Sequence, residues 1–265
     1  MERKTFRDSL GRSVSVLYPP QRIVSLCPSI TETLYALGLG DRVVGRTRYC
    51  IHPAGRIEQA TIVGGTKQIS MEEMDKLEPG LIIAEKEENP KELVEELAQH
   101  YPVFVSNVEN YADALGMIRE LGQLTGCISQ SEQMVRDTEL RFTSISGFEG
   151  LRAAYLIWRK PYMAAGQNTF IHSMMQRCGF VNVFAGYNSR YPTVTYEDFA
   201  KEKPDIILLS SEPFPFGEKH QAEFAQRLPG MKTMLVDGEM FSWYGSHMKE
   251  AADYFNKLMK TIRSL

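Results

Sequence analysis

The segment Ile69–Leu93 reads ISMEEMDKLEPGLIIAEKEENPKEL, and the later segment Tyr191–His220 reads YPTVTYEDFAKEKPDIILLSSEPFPFGEKH. The two align without a gap. Ile69 meets Val194, Ser70 meets Thr195, Glu72 meets Glu197 and Glu73 meets Asp198; Pro79 meets Pro204, Leu81 to Ile83 meets Ile206 to Leu208, and Glu87 meets Glu212. In each, a hydroxyl residue precedes an acidic first helical turn, a proline stops the helix, and a short apolar run follows. Such self-similarity marks two copies of one architectural unit.

The remaining chain follows the same grammar. TFRDSLGRSVSV predicts a hairpin with Leu10 and Gly11 near its turn. RIVSL, from Arg22 to Leu26, predicts a strand, and ITETLYALGLG after it a helix with Ile30, Leu34 and Leu37 on its apolar face. Ser29 and Glu32 have the spacing of a capping box for that helix. Strands and helices alternate from there to Thr125, then again from Arg152 to the end. Alternation with strands this apolar implies a parallel sheet covered on both faces. Residues 128–145 differ. They predict one long helix without glycine or proline and with a charged outer face. The expected fold class is therefore α/β, with two parallel-sheet lobes and flanking helices joined by one long rigid helix. The expected domains are an N-terminal lobe over 1–127, the linking helix over 128–146 and a C-terminal lobe over 147–265. A helical linker implies smaller lobe motions than a glycine-rich one.

Composition narrows the partners. The chain has 265 residues, 43% apolar and 24% charged, with a formal net charge of -3, which argues against nucleic acid or an anionic membrane as the main partner. No run of about 18 apolar residues exists to span a bilayer. MERKTFRDSLGRSVSV lacks the apolar core of a secretory leader. Cys27, Cys50, Cys127 and Cys178 are widely spaced, without a CxxC, so structural zinc is not expected. Cys50 falls in an expected exposed loop, the others in the core.

Two groups of residues carry functional expectations. If Ser70 and Thr195 cap their helices, Glu73 and Asp198 can fold back on the caps, leaving Glu72 and Glu197 to point outward, one per lobe. Acids in a first turn also favour the helix dipole without any partner; a pair at equivalent edges would hold a two-fold partner by charge. The second group is aromatic. Tyr49, Trp158, Phe170, Phe214, Trp243 and Tyr244 fall in expected loops or at element ends, where rings serve as a ligand platform. Hydrolytic motifs are missing: there is no GxSxG, no phosphate-binding loop and no HExxH. No metal site is expected; His220 and His247, with Glu212, come nearest to one.

RIVSLCPSITETLYALGLGDRVVG, VGGTKQISMEEMDKLEPGLII, WRKPYMAAGQNTFIHSMMQRCGFVNVF and YPTVTYEDFAKEKPDIILLSSEP give the chain its resemblance to a known family. From about Arg22 to its end it resembles the helical-backbone periplasmic substrate-binding proteins of ATP-driven (ABC) importers, which take up vitamin B12, ferric siderophores or haem. The resemblance implies two α/β lobes bridged by one long helix, with a ligand in the cleft between them. It implies no enzyme activity and no intrinsic cofactor, the ligand being a cobalamin-like corrinoid, a ferric siderophore or haem. By motif position Glu72 and Glu197 match the glutamates with which the vitamin B12-binding members dock on the permease dimer. Tyr49 falls where those members carry a cleft tyrosine and Phe170 near another cleft aromatic. Thr66 stands about where they carry a tryptophan. Trp158, Glu87, Glu88, Glu212, Phe214, Lys219, His220, Trp243 and Tyr244 complete the expected ligand wall.

The expected function is that of an importer's substrate-binding protein, periplasmic or attached to the cell envelope, and monomeric. The alternative is a cytoplasmic carrier or sensor of a tetrapyrrole or metal chelate, which the leaderless N-terminus would suit. An enzyme acting on such a chelate is a more distant alternative.

Overall fold

The computed structural model describes residues 2–148 and 150–264. The chain opens with an antiparallel hairpin, β1 (Glu2–Arg7) and β2 (Ser13–Tyr18). Next come β3 (Ile23–Ser25), α1 (Pro28–Ala36), β4 (Val43–Thr47), β5 (Thr61–Gly64), α2 (Met71–Leu77), β6 (Leu81–Glu85), α3 (Lys91–Ala98), β7 (Val103–Ser106), α4 (Tyr111–Thr125) and α5 (Ile128–Thr143). The second half holds β8 (Leu151–Trp158), β9 (Tyr162–Ala164), α6 (Phe170–Arg177), β10 (Phe180–Asn182), β11 (Thr193–Val194), α7 (Tyr196–Glu202) and β12 (Ile206–Ser210). It ends with α8 (Glu218–Arg227), β13 (Lys232–Val236), α9 (Glu239–Ser242) and α10 (Met248–Arg263).

These elements form two compact units. The first comprises residues up to Val108, Ala112–Glu139 and Tyr244–His247; the second comprises Glu109–Tyr111, Leu140–Trp243 and the chain from Met248 onward. Helix α5 therefore begins in one unit and ends in the other. A four-residue strap, Tyr244–His247, belongs to the first unit although the chain on both sides of it belongs to the second.

The first unit has a wholly parallel sheet in the order β5-β4-β3-β6-β7. All five residues of β6 are buried, as a strand covered on both faces requires. Val24, Leu26, Ile82, Ala84, Val103 and Val105 form one core face with Met74, Val94 and Leu97 from α2 and α3. The second unit has a mixed sheet, β11-β9-β8-β12-β13, with β10 parallel to the start of β8. Strands β9 and β11 run antiparallel at its edge, so the parallel expectation holds for only part of this sheet. Their two- and three-residue lengths are too short to leave a periodic signal. Phe184, Phe199 and Phe224 fill its core with edge-on ring contacts.

The repeated segments fold alike. Ser70 Oγ accepts the Glu73 N–H and Thr195 Oγ1 the Asp198 N–H, both at 3.3 Å. Glu78 and Lys203 close the two helices with positive φ, 41° and 46°, each just before its proline. One detail departs from expectation. Asp198 returns a bond to the Thr195 N–H at 2.8 Å, whereas the Ser70 N–H donates to the Val63 carbonyl and Glu73 pairs with Lys76. The capping box is complete only in the second unit.

Two further expectations are corrected. Helix α1 starts at Pro28 with Cys27 as its N-cap and no side-chain cap bond. Proline at the first helical position has no N–H to leave unpaired, and Ser29 and Glu32 bond to the strap instead. Cys50 is buried, its thiol within reach of the Thr31 and Thr47 hydroxyls. No described helix is long and apolar enough to cross a membrane.

Candidate functional site

In an open parallel sheet, binding crevices form outside the carboxyl ends of the strands where the order of connection reverses. In the first unit that reversal lies between β3 and β6; in the second it lies between β8 and β12. Several of the residues expected to carry function follow the ends of these strands.

On the first rim, Tyr49 follows β4 and is 55% exposed. Its ring lies against Gly65, where a Cβ would stand 3.4 Å from Cε2. Thr66 is buried beside it and offers its carbonyl to Asn89. Lys67 Nζ donates to the Glu87 and Glu88 carbonyls at 3.0 and 2.6 Å. Behind this loop Glu85 is buried, and desolvation lifts its carboxyl to about 7 against the pull of three backbone N–H bonds. Burial also raises Glu88.

Tyr244, expected as a wall aromatic, is instead buried in the strap. Its hydroxyl meets Cys27 Sγ at 3.2 Å, and its N–H donates to Ser29 Oγ at 3.3 Å. Burial, with the Glu88 and Glu85 charges adding to it, holds the Cys27 thiol neutral, so Cys27 is not a nucleophile. Ser246 N–H donates to Thr33 Oγ1, and His247 Nδ1 pairs with Glu32 at 3.1 Å. Gly245, at φ +78°, packs so tightly on the Thr33 hydroxyl that a Cβ could not fit.

On the second rim, Trp158 ends β8 and remains 42% exposed. Its indole meets Phe214 edge-on at 5.9 Å, and Phe214 in turn makes edge-on contacts with Phe216 and His220. His220 is buried; its Nδ1 accepts the Gly217 N–H at 2.9 Å, so it caps α8, and burial lowers its pKa. Glu212 accepts the Ser242 hydroxyl and a bond from Trp243; burial raises its pKa. Trp243 and Phe170 are buried, the latter in the first turn of α6.

Tyr49, Thr66, Glu87 and Glu88 thus meet on one rim, and Trp158, Glu212 and Phe214 on the other. His220 and His247 fall in different units. Among the described residues no group of three or more His, Cys, Asp or Glu could hold a metal ion. Glu85 and Asn89 were missed; the signal was a charged residue closing the apolar run LIIAE. A cavity of about 340 Å³ lined by Arg12, Tyr101 and Val103, among others, opens at the amino end of β7, away from the rim.

Glu72 and Glu197 are both exposed at the second helical position. Glu72 pairs with Lys76 at 2.8 Å, which lowers its pKa. Glu197 is lowered by its own backbone N–H and by Thr195. Beside it, Tyr196 and Tyr162 both donate to Glu223 Oε1, while Arg159 pairs with Glu223 Oε2 at 2.6 Å.

The model of the periplasmic binding protein family matches residues 23–232, and the chain belongs to that family. It is 27% identical to the vitamin B12-binding protein of Vibrio parahaemolyticus over 225 residues, 82% of this chain and 80% of that one. The crystal structure of the periplasmic vitamin B12-binding protein of Vibrio cholerae superposes with a TM-score of 0.74 at 23% identity, covering 93% of this chain and 99% of that one. The periplasmic haem-binding protein of the same organism gives 0.76 at 19% identity, covering 90% and 98%. These structural likenesses establish the fold. Family membership makes the chain a periplasmic or cell-envelope substrate-binding component of an importer, not an enzyme.

Proposed function

We propose that this periplasmic binding protein captures a bulky metal chelate, a corrinoid, haem or ferric siderophore, and delivers it to the permease dimer of an ABC importer. The observation that carries the ligand class is the pair of large exposed rings, Tyr49 and Trp158, each at the carboxyl-end rim of its sheet. A planar chelate offers a wide apolar face, and burying rings against it releases about 25 cal/mol per Å² of apolar surface. The names of the relatives, which bind vitamin B12 or haem, point the same way. Thr66, Glu87, Glu88, Glu212 and Phe214 supply the remaining contacts. Phe170, His220, Trp243 and Tyr244 support the rims from beneath, since all four are buried. Glu72 and Glu197 are the docking carboxylates, and the working form is a monomer.

Calorimetric titration with cyanocobalamin, haemin and a ferric siderophore panel tests the ligand class. One of them should saturate at one or two ligands per chain, with Y49A and W158A each weakening it; heats absent for the whole panel would refute it. The docking reading is separate. E72A/E197A should abolish permease association and leave ligand affinity unchanged.

A further inference from the structure

The buried side chain of Asn89 touches three loops of the first unit. Its Oδ1 accepts the Glu85 N–H at 2.9 Å, and its Nδ2 donates to the Leu26 and Thr66 carbonyls at 3.3 and 2.9 Å. Glu85 extends the same network. Oε2 accepts the N–H groups of Glu87 and Glu88 at 2.7 and 3.0 Å, and Oε1 accepts that of Val108 at 3.3 Å. Leu26 follows β3, Thr66 follows β5, Glu85 closes β6 and Val108 follows β7. Two side chains therefore tie together the loops that leave four of the five strands, all at the carboxyl-end rim. Lys67, clamped on the Glu87 and Glu88 carbonyls, closes the same loop from outside.

We propose that Glu85 and Asn89 are positioning residues for ligand capture: they fix the first rim as one surface, and their grip is tightest when Glu85 carries its charge. The inference rests on that rim being a ligand face. A carboxylate offers acceptors to all three N–H groups. A neutral acid is a weaker acceptor and turns one oxygen into a donor. Two influences oppose each other at this carboxyl. Burial disfavours the charge, and the N–H groups of Glu88, Glu87 and Val108 favour it; the balance lies at about 7. The ionisable groups around it are Glu87 and Glu88 on its own loop, Lys67 on the loop after β5, Cys27 at the start of α1 and Tyr244 on the strap. Mild acidification neutralises Glu85 and releases the 87–88 loop, while Asn89 keeps its bonds.

Two readouts test this, one of them independent of any ligand. In the free protein, the backbone amide resonances of Glu87, Glu88 and Val108 should share one titration near neutral pH, absent in E85Q. In calorimetry, whichever of cyanocobalamin, haemin or the ferric siderophores binds should lose affinity on the order of ten-fold between about pH 8 and about pH 5.5. E85Q should bind more weakly at the higher pH with a flat profile. Amides that do not titrate, or that titrate equally in E85Q, would overturn the proposal, as would a pH dependence of affinity that survives E85Q. Failure of cyanocobalamin, haemin and the whole ferric siderophore panel to bind, with the amide titration intact, would overturn the ligand class and leave the charge-dependent rim standing.

Discussion

The ends of β6 and β12 are equivalent places in the two units, and they are held by opposite chemistry. Glu85 and Ser210 each close a fully buried strand that follows a short capped helix, an αL residue and a proline. Glu85 gathers three backbone N–H groups onto a buried carboxylate with Asn89 behind it. Ser210 does the job with a neutral hydroxyl, which donates to the Glu212 carbonyl at 2.6 Å and accepts from the Tyr155 hydroxyl at 3.0 Å. Duplicated backbone geometry leaves the side chains free to diverge. The first corner is charge-dependent and the second is not.

The largest expected effect comes from removing the hub of the first corner. N89A leaves the Glu85 N–H and two carbonyls buried without their partner, a loss of about 3–5 kcal/mol. S210A strands the buried Tyr155 hydroxyl and removes two bonds within the half-buried turn to Glu212, and should cost about 1–2 kcal/mol. Urea unfolding of the two variants measures both, and equal losses would break the contrast.

Next is the pH dependence of stability. The Glu85 carboxyl is raised in the folded state to about 7, so its contribution is fully present below the unfolded value of about 4.3 and is lost as pH rises to about 7. Its effect on unfolding free energy across that window should be a few kcal/mol. E85Q should flatten that part of the profile and S210A should leave it unchanged. A smaller effect separates the caps. T195A breaks a reciprocal box and should cost about 1–2 kcal/mol, and S70A, with a single cap bond, about half as much. The smallest effect is at the exposed acids. K76A should raise the carboxyl pKa of Glu72 toward its ordinary value without shifting the melting temperature. K201A, the equivalent change, should leave Glu197 unmoved, because the Glu197 depression comes from its own backbone and Thr195.

Much of this was legible in the sequence because the repeat carries strong local signals. Hydroxyl caps, acidic first turns, prolines and unbroken apolar runs fix α2–β6 and α7–β12 without reference to the rest of the chain. Strands β9 and β11 were not legible: two or three residues carry no periodicity, and their pairing is set by distant strands. The Ser29 and Glu32 spacing misled because the partners that claim them, Tyr244 and His247, lie far along the chain. Loop aromatics were legible as a class and not one by one. Tyr49 and Trp158 are exposed while Phe170, Trp243 and Tyr244 are buried, a distinction made only by tertiary packing. Glu85 was hidden by its neighbours, since a charge at the end of LIIAE reads as the edge of a strand rather than as a buried anchor.

The most direct test of ligand capture at the rims uses the two tryptophans, Trp158 and Trp243. In W243F, Trp158 alone reports on the second rim. Titration with cyanocobalamin, haemin and ferric siderophores, corrected for ligand absorbance, should quench Trp158 saturably with the same midpoint as the calorimetric heat. Calorimetric binding that leaves Trp158 fluorescence unchanged, or no binding by any of these chelates, would contradict the account.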